Sequence, residues 1–193
     1  MQTQSTRDTI VAQADTLFYE RGFETTSLAD IAAPLGISRG NFYHHFKSKD
    51  AILQAVIDLR MSNTSALLKH WEERADTPRA RILSFIHLLI VNRSKIMAHG
   101  CPVGTLCSEL ARLDHVFQHR AGEIMGLFRS WLTTQFHAQG VGDQAGHMAM
   151  HLLTWSQGVA VIATAFGDEE LITAQVAEAE RWLDQQLGPI SNA

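Results

Sequence analysis

The chain has 193 residues, 46% of them hydrophobic, and a formal net charge of −4. That length holds one or two domains with a real core, and the composition is that of an ordinary globular protein. Two cysteines, Cys101 and Cys107, are too few for a disulfide scaffold, and the longest apolar run, residues 82–91, is well short of the ~18 to 20 residues that span a bilayer.

With no cationic-then-apolar leader, a soluble cytoplasmic protein with no membrane partner is expected. The first helix is predicted over 6–21, where Ile10, Ala14, Leu17 and Phe18 share one face. Gly22 ends it and Phe23 docks back. Arg7 lies near its start, either solvated or within reach of a phosphate. Ser27 then precedes Leu28, Ile31, Ala32 and Leu35 at helical spacing, and Asp30 completes a capping box. Pro34 falls inside this second helix, where a kink or a tightened last turn is expected. Gly36 stops it. Ser38 is the N-cap of a third helix, 39–46, with Phe42 and Phe46 inward. Arg39, Gly40, Asn41, Tyr43, His44 and Lys47 remain outside. Two short helices around a glycine turn, the second presenting cationic and amide side chains, is a helix-turn-helix pattern for DNA.

From Arg39 to Lys49 there are three Lys or Arg and no acid, so a basic patch sits on an otherwise acidic chain. A fourth helix is predicted over 49–74, about 39 Å long at 1.5 Å per residue, capped by Ser48. As a long rod leaving the reading unit it is a natural carrier of a signal. Further helices follow over 79–98, 103–113, 115–139, 143–166 and 169–187, divided at His99–Pro102, at 140–142 and at Gly167. No strand signal appears. The expectation is an all-α fold of about nine helices.

The segments Gly22-Phe23, Thr26 to Ala32, Leu35 to Ser38, Gly40 to Phe46 and Ser48 to Asp50 closely resemble the TetR/AcrR family of bacterial transcriptional regulators. The resemblance covers roughly residues 7–57, one domain's worth of sequence. It implies a helix-turn-helix DNA-binding domain, 1–48, and a ligand-binding and dimerisation domain, 49–193. It also implies a homodimer through the eighth and ninth helices, 143–166 and 169–187, and a pseudo-palindromic double-stranded operator. A small-molecule ligand that shifts the fourth helix would release that operator.

Within that frame each reading residue has a chemical role. Arg39 suits bidentate contact with guanine O6 and N7, and Asn41 suits adenine or a phosphate. Gly40 leaves room for close backbone approach. Tyr43 and His44 face phosphates, Lys47 and Lys49 add positive charge, and Thr26 and Ser27 stand at a helix N-terminus that suits a phosphate oxygen. Phe85, Met97, Cys101, Cys107, Phe128, Trp131 and Trp155 are candidates to line a cavity for an apolar or aromatic effector. Cys101, beside a helix start, opens a second reading: a thiol sensor of oxidants or electrophiles. His115, His119 and Glu123, and His147 with His151, have i, i+4 spacing, but a solvated or interface stripe is the expected role. No phosphate loop, catalytic triad or paired acid-base motif appears, so neither an enzyme nor a cofactor is expected.

Overall fold

The computed structural model describes residues 5–188, and of Arg39 the backbone alone. All regular structure among the described residues is helical. In chain order the α-helices are α1 (Thr6–Arg21), α2 (Leu28–Ala32), α3 (Arg39–His45), α4 (Lys49–Arg74), α5 (Pro78–Val91), α6 (Arg93–His99), α7 (Pro102–Arg112), α8 (Gln118–Ala138), α9 (Ala145–Phe166) and α10 (Glu169–Leu187). Local sequence explains most boundaries. Ser5, Ser27, Ser38, Thr77 and Asp168 cap their helices by accepting hydrogen bonds from backbone N–H groups of the first turn. Gly22, Gly36 and Gly167 adopt positive φ at helix ends.

Two helix boundaries differ from the expectation, and the tightened turn expected at Pro34 is present. The helix anticipated over 79–98 is two helices, α5 and α6. Asn92 causes the break: its Nδ2 donates to Leu88 O at 3.0 Å, and its backbone opens to φ −102, ψ 9. A side chain that competes for the i−4 carbonyl bends the helix there. The helix anticipated over 115–139 begins later, at Gln118. Asp114, at φ 48, turns the chain back after α7, so His115 lies in a turn and does not share a helix face with His119 and Glu123. Pro34 does tighten the end of the second helix, into a 3-10 turn over Ala33–Leu35.

Packing divides the chain into two compact units. The first is the chain up to Asn63 together with Pro102–Ile124; the second is Thr64–Cys101 together with the chain from Met125 onward. This division differs from the functional one drawn at 48/49 on the sequence. The early part of α4 contributes Ile52, Leu53, Val56 and Ile57 to the same core as Ile10, Phe18, Ile31, Phe42 and Phe46, and α7 adds Leu106 and Leu110. In the second unit Ile82, Phe85, Ile86, Leu132, Phe136, Leu152, Val176 and Leu183 form a separate core.

Residues Gly142–Phe166 are apolar and long enough, by length and composition, to cross a bilayer. The second unit accounts for one face of this helix: Met148, Ala149, Leu152, Val159, Ala160 and Ala163 are buried against its core. The opposite face leaves Met150 and Val161 exposed, and Ile162 and Phe166 are exposed toward the end of the helix.

Candidate DNA-binding site

The reading unit is assembled on two aromatic residues. Phe42 and Phe46 point inward from α3 and are almost wholly buried with Ile31 of α2. Their burial turns the other side of α3 outward, where Asn41, Tyr43 and His44 are exposed, and Lys47 is exposed just past the end of the helix. Tyr43 is 46% exposed and lines a half-open apolar cleft with Leu28, Ala32, Ile37 and Phe42. Gly40 has open space where a Cβ would stand, which leaves that part of the surface free for close approach. The Arg39 side chain, the leading candidate for a guanine contact, lies outside the described residues. Arg7, which the sequence left between solvent and phosphate, sits with its guanidinium 5.2 Å from the centroid of the Phe46 ring.

Thr26 and Ser27, expected at a phosphate oxygen, and Lys49, expected to add positive charge to the reading surface, make their hydrogen bonds within the protein. Thr26 is 1% exposed, and its hydroxyl donates to Gly22 O at 2.7 Å, so it is a structural residue of the turn before α2. Lys49 donates through Nζ to Phe23 O at 2.9 Å and Glu24 O at 3.1 Å, and lies 4.4 Å from the Phe23 ring centroid. Its charge is spent on backbone carbonyls. Ser27 is exposed, but its hydroxyl donates to Asp30 Oδ2 and accepts from Asp30 N at 3.1 Å. Sequence reasoning missed the matching acid. Glu109, on α7, accepts from Phe23 N and Glu24 N, each at 2.9 Å. A residue about 85 positions away gives no local signal.

The Ser27 hydroxyl first, and then its backbone N–H, hold the Asp30 carboxyl below its ordinary value of 3.8. A depressed carboxylate stabilises the fold fully above its unfolded value, and that contribution is lost as pH falls through the folded value. Asp30→Asn is therefore expected to flatten the acid limb of a plot of melting temperature against pH, from about pH 5 to about pH 2. An unchanged acid limb would show that the cap carries no acid sensitivity.

Residues 10–56 match the family described as bacterial regulatory proteins, tetR family. The chain is 23% identical to a TetR transcriptional regulator from Legionella pneumophila, whose crystal structure superposes with a TM-score of 0.82 over 96% of this chain and 98% of that one. Residues 10–56 therefore carry a tetR-family N-terminal domain, and the chain as a whole has the fold of that solved TetR regulator. It is 31% identical over 117 residues to an uncharacterized HTH-type transcriptional regulator in the lacX 3' region of Lactococcus lactis subsp. lactis, covering 60% of each chain. It is 28% identical over 126 residues to the HTH-type transcriptional repressor DhaR of Mycobacterium sp. strain GP1, covering 65% of this chain and 61% of that one. The matches thus span about 60% of the length of these curated relatives.

The second unit gathers most of the residues named for an effector. Phe85, Phe128 and Trp131 are buried in the second unit's core, with the Phe85 and Phe128 rings 5.7 Å apart. Met97, Cys101 and Trp155 are half-buried against the same core. The Trp155 indole N–H is buried with no acceptor among the described residues. Cys107 does not join this group. It packs on the first unit's core and lines a shallow surface depression with His119 and Glu123. His115 is 3.4 Å from Asp50, and Glu123 pairs with Arg120. His151 stacks on Trp182, with centroids 4.4 Å apart. Among the described residues no three His, Cys, Asp or Glu side chains are grouped to hold a metal.

Proposed function

We propose that this protein is a sequence-specific, DNA-binding transcriptional regulator, a repressor that works as a cytoplasmic homodimer and is released from its operator by a small-molecule effector. The observation that carries the reading is the outward face of α3, where Asn41, Tyr43 and His44 stand exposed beside Gly40, with Lys47 exposed just past its end, on a helix fixed from behind by Phe42 and by Phe46 at its C-cap. An α-helix that presents amide, phenol and cationic groups beside a residue with no side chain fits the major groove. Arg39 begins this helix and is assigned the guanine contact, with Tyr43, His44 and Lys47 on phosphates.

The dimer reading is supported by α9, which contains no Asp, Glu, Lys or Arg. Met150, Thr154, Gly158, Val161 and Ala165 fall on one exposed helical face, and nothing lies within 4 Å of a Cβ built at Gly158. Such a face suits close packing against the same helix of a second copy. The effector reading is supported by the aromatic lining of the second core and by the Trp155 N–H. That donor calls for an apolar or aromatic ligand that brings an acceptor.

The test begins with a random-sequence duplex library, from which the unmodified protein should select a pseudo-palindromic site. Arg39→Ala combined with Tyr43→Ala should then lower affinity for the selected duplex by about 100-fold, summing a lost bidentate base contact and a phosphate contact. Retained affinity in the folded double variant would refute the assignment of α3 as the reading helix.

A further inference from the structure

The turn between α1 and α2 makes few backbone hydrogen bonds of its own, and two side chains from distant parts of the first unit hold it. Glu109 takes the N–H groups of Phe23 and Glu24, one on each carboxylate oxygen. Lys49 takes the carbonyls of the same two residues. The turn is shaped around the carboxylate: Gly22 sits at φ +90, and a Cβ there would stand 3.0 Å from Glu109 Oε1. Phe23, between the two clamps, is buried and meets Phe18 and His115 edge-on at 5.3 and 5.2 Å.

The clamp has a fixed base. Arg60 is buried, with Nε 2.6 Å from Asp15 Oδ1 on α1, and its Nη1 donates to Pro102 O at the start of α7. Helix α7 is thereby tied to α1 near its first residue and to the α1–α2 turn two turns later. Thr26 and Ser27 follow the clamped residues directly. One bonds back to Gly22 and the other caps α2. The direction in which α2 leaves the turn, and with it the direction of α3, is therefore set by where the Glu109 carboxylate sits.

We propose that Glu109 is a positioning residue for DNA recognition: it touches no DNA, and it holds the α1–α2 turn so that α3 is presented at the angle the groove requires. The inference rests on the reading of this unit as a DNA binder. Its sign separates it from simple electrostatics. Neutralising a carboxylate beside a DNA-binding surface should by charge alone tighten binding to a polyanion. Loss of the clamp should weaken it.

The experiment measures Glu109→Gln against the duplex selected by the unmodified protein, at a temperature where circular dichroism shows both proteins fully helical. Gln retains one acceptor and places an NH2 against the second N–H. Affinity is expected to fall about tenfold or more. Hydrogen exchange should quicken at the Phe23 and Glu24 amides while the amides of Ala14 and Phe18 stay protected. Equal or tighter binding by the folded variant overturns the proposal, as does unchanged exchange at those two amides. If Glu109→Gln does not fold, Glu109→Asp carries the same test, because it keeps the charge and withdraws the carboxylate by one methylene. Weaker binding is then expected, and unchanged binding overturns the proposal. Failure of the unmodified protein to select any duplex is a separate result, and it would remove the DNA-binding reading itself.

Discussion

Replacing Val161 by glutamate is expected to leave the protein monomeric and to weaken operator binding by roughly 100-fold or more. Val161 is 65% exposed and shares its face with Met150, 40% exposed, roughly three turns earlier, on a helix whose other face is packed. Nothing is gained from solvating these side chains, and an apolar stripe on a helix without fixed charge calls for a partner. In a two-fold interface each substitution acts twice, so two carboxylates would be brought toward the same buried seam. Binding to two half-sites gains its affinity from linkage of two heads, and a monomer forfeits that gain. Sedimentation should report the mass of one chain, and titration of the selected duplex should lose its tight phase. Helicity should be retained, because the exposed stripe supports no contact within one chain. A Val161→Glu protein that remains dimeric would place the interface elsewhere.

The second large effect is expected at Arg60. Replacement by alanine should cost about 2 to 3 kcal/mol of stability, the low end of the range for breaking a buried ion pair. Arg60 has a side chain 8% exposed and Asp15 one 32% exposed, so some of the charge left behind can be solvated, which is why the lower figure applies. The guanidinium also donates to Pro102 O, and its loss leaves that carbonyl without this donor. Urea unfolding followed by circular dichroism gives the number, and Arg60→Lys should recover only part of it, since one ammonium cannot reproduce the planar fork. A loss under about 0.5 kcal/mol would mean that Arg60 behaves as a surface side chain.

Much of the fold is legible in the sequence because its determinants are local. Ser27 with Asp30, Ser38 and Ser48 announce helix starts within four residues of themselves, and Gly22 and Gly36 announce stops. The inward placing of Phe42 and Phe46 follows from helical period alone, and so does the outward face of α3. What was not legible depends on long-range partners. Nothing near Lys49 says that its ammonium will be taken by two carbonyls 25 or so residues earlier, and nothing near Thr26 says that it will be buried. From residue type Thr26 was expected at a phosphate and Lys49 as added positive charge, and both are held by the turn. Asn92 is an intermediate case. Its residue type permits a helix break, but whether the side chain turns back to Leu88 is decided by packing.

The way the two units share the chain has a consequence for how the protein is made and remade. Leu106, Leu110, Ala121 and Ile124 belong to the core that surrounds the reading helices, yet they are synthesised after residues 64–101 of the other unit. On the ribosome the reading head therefore cannot close when its own three helices have emerged; it waits until residue 124 is available, with an apolar face uncovered meanwhile. The same arrangement governs grafting. A head cut from this chain at residue 63 and joined to another body would arrive without these four core side chains, and one cut at residue 48 would also lose Ile52, Leu53, Val56 and Ile57. A chimera that keeps its specificity must carry α7 and the start of α8 along with it.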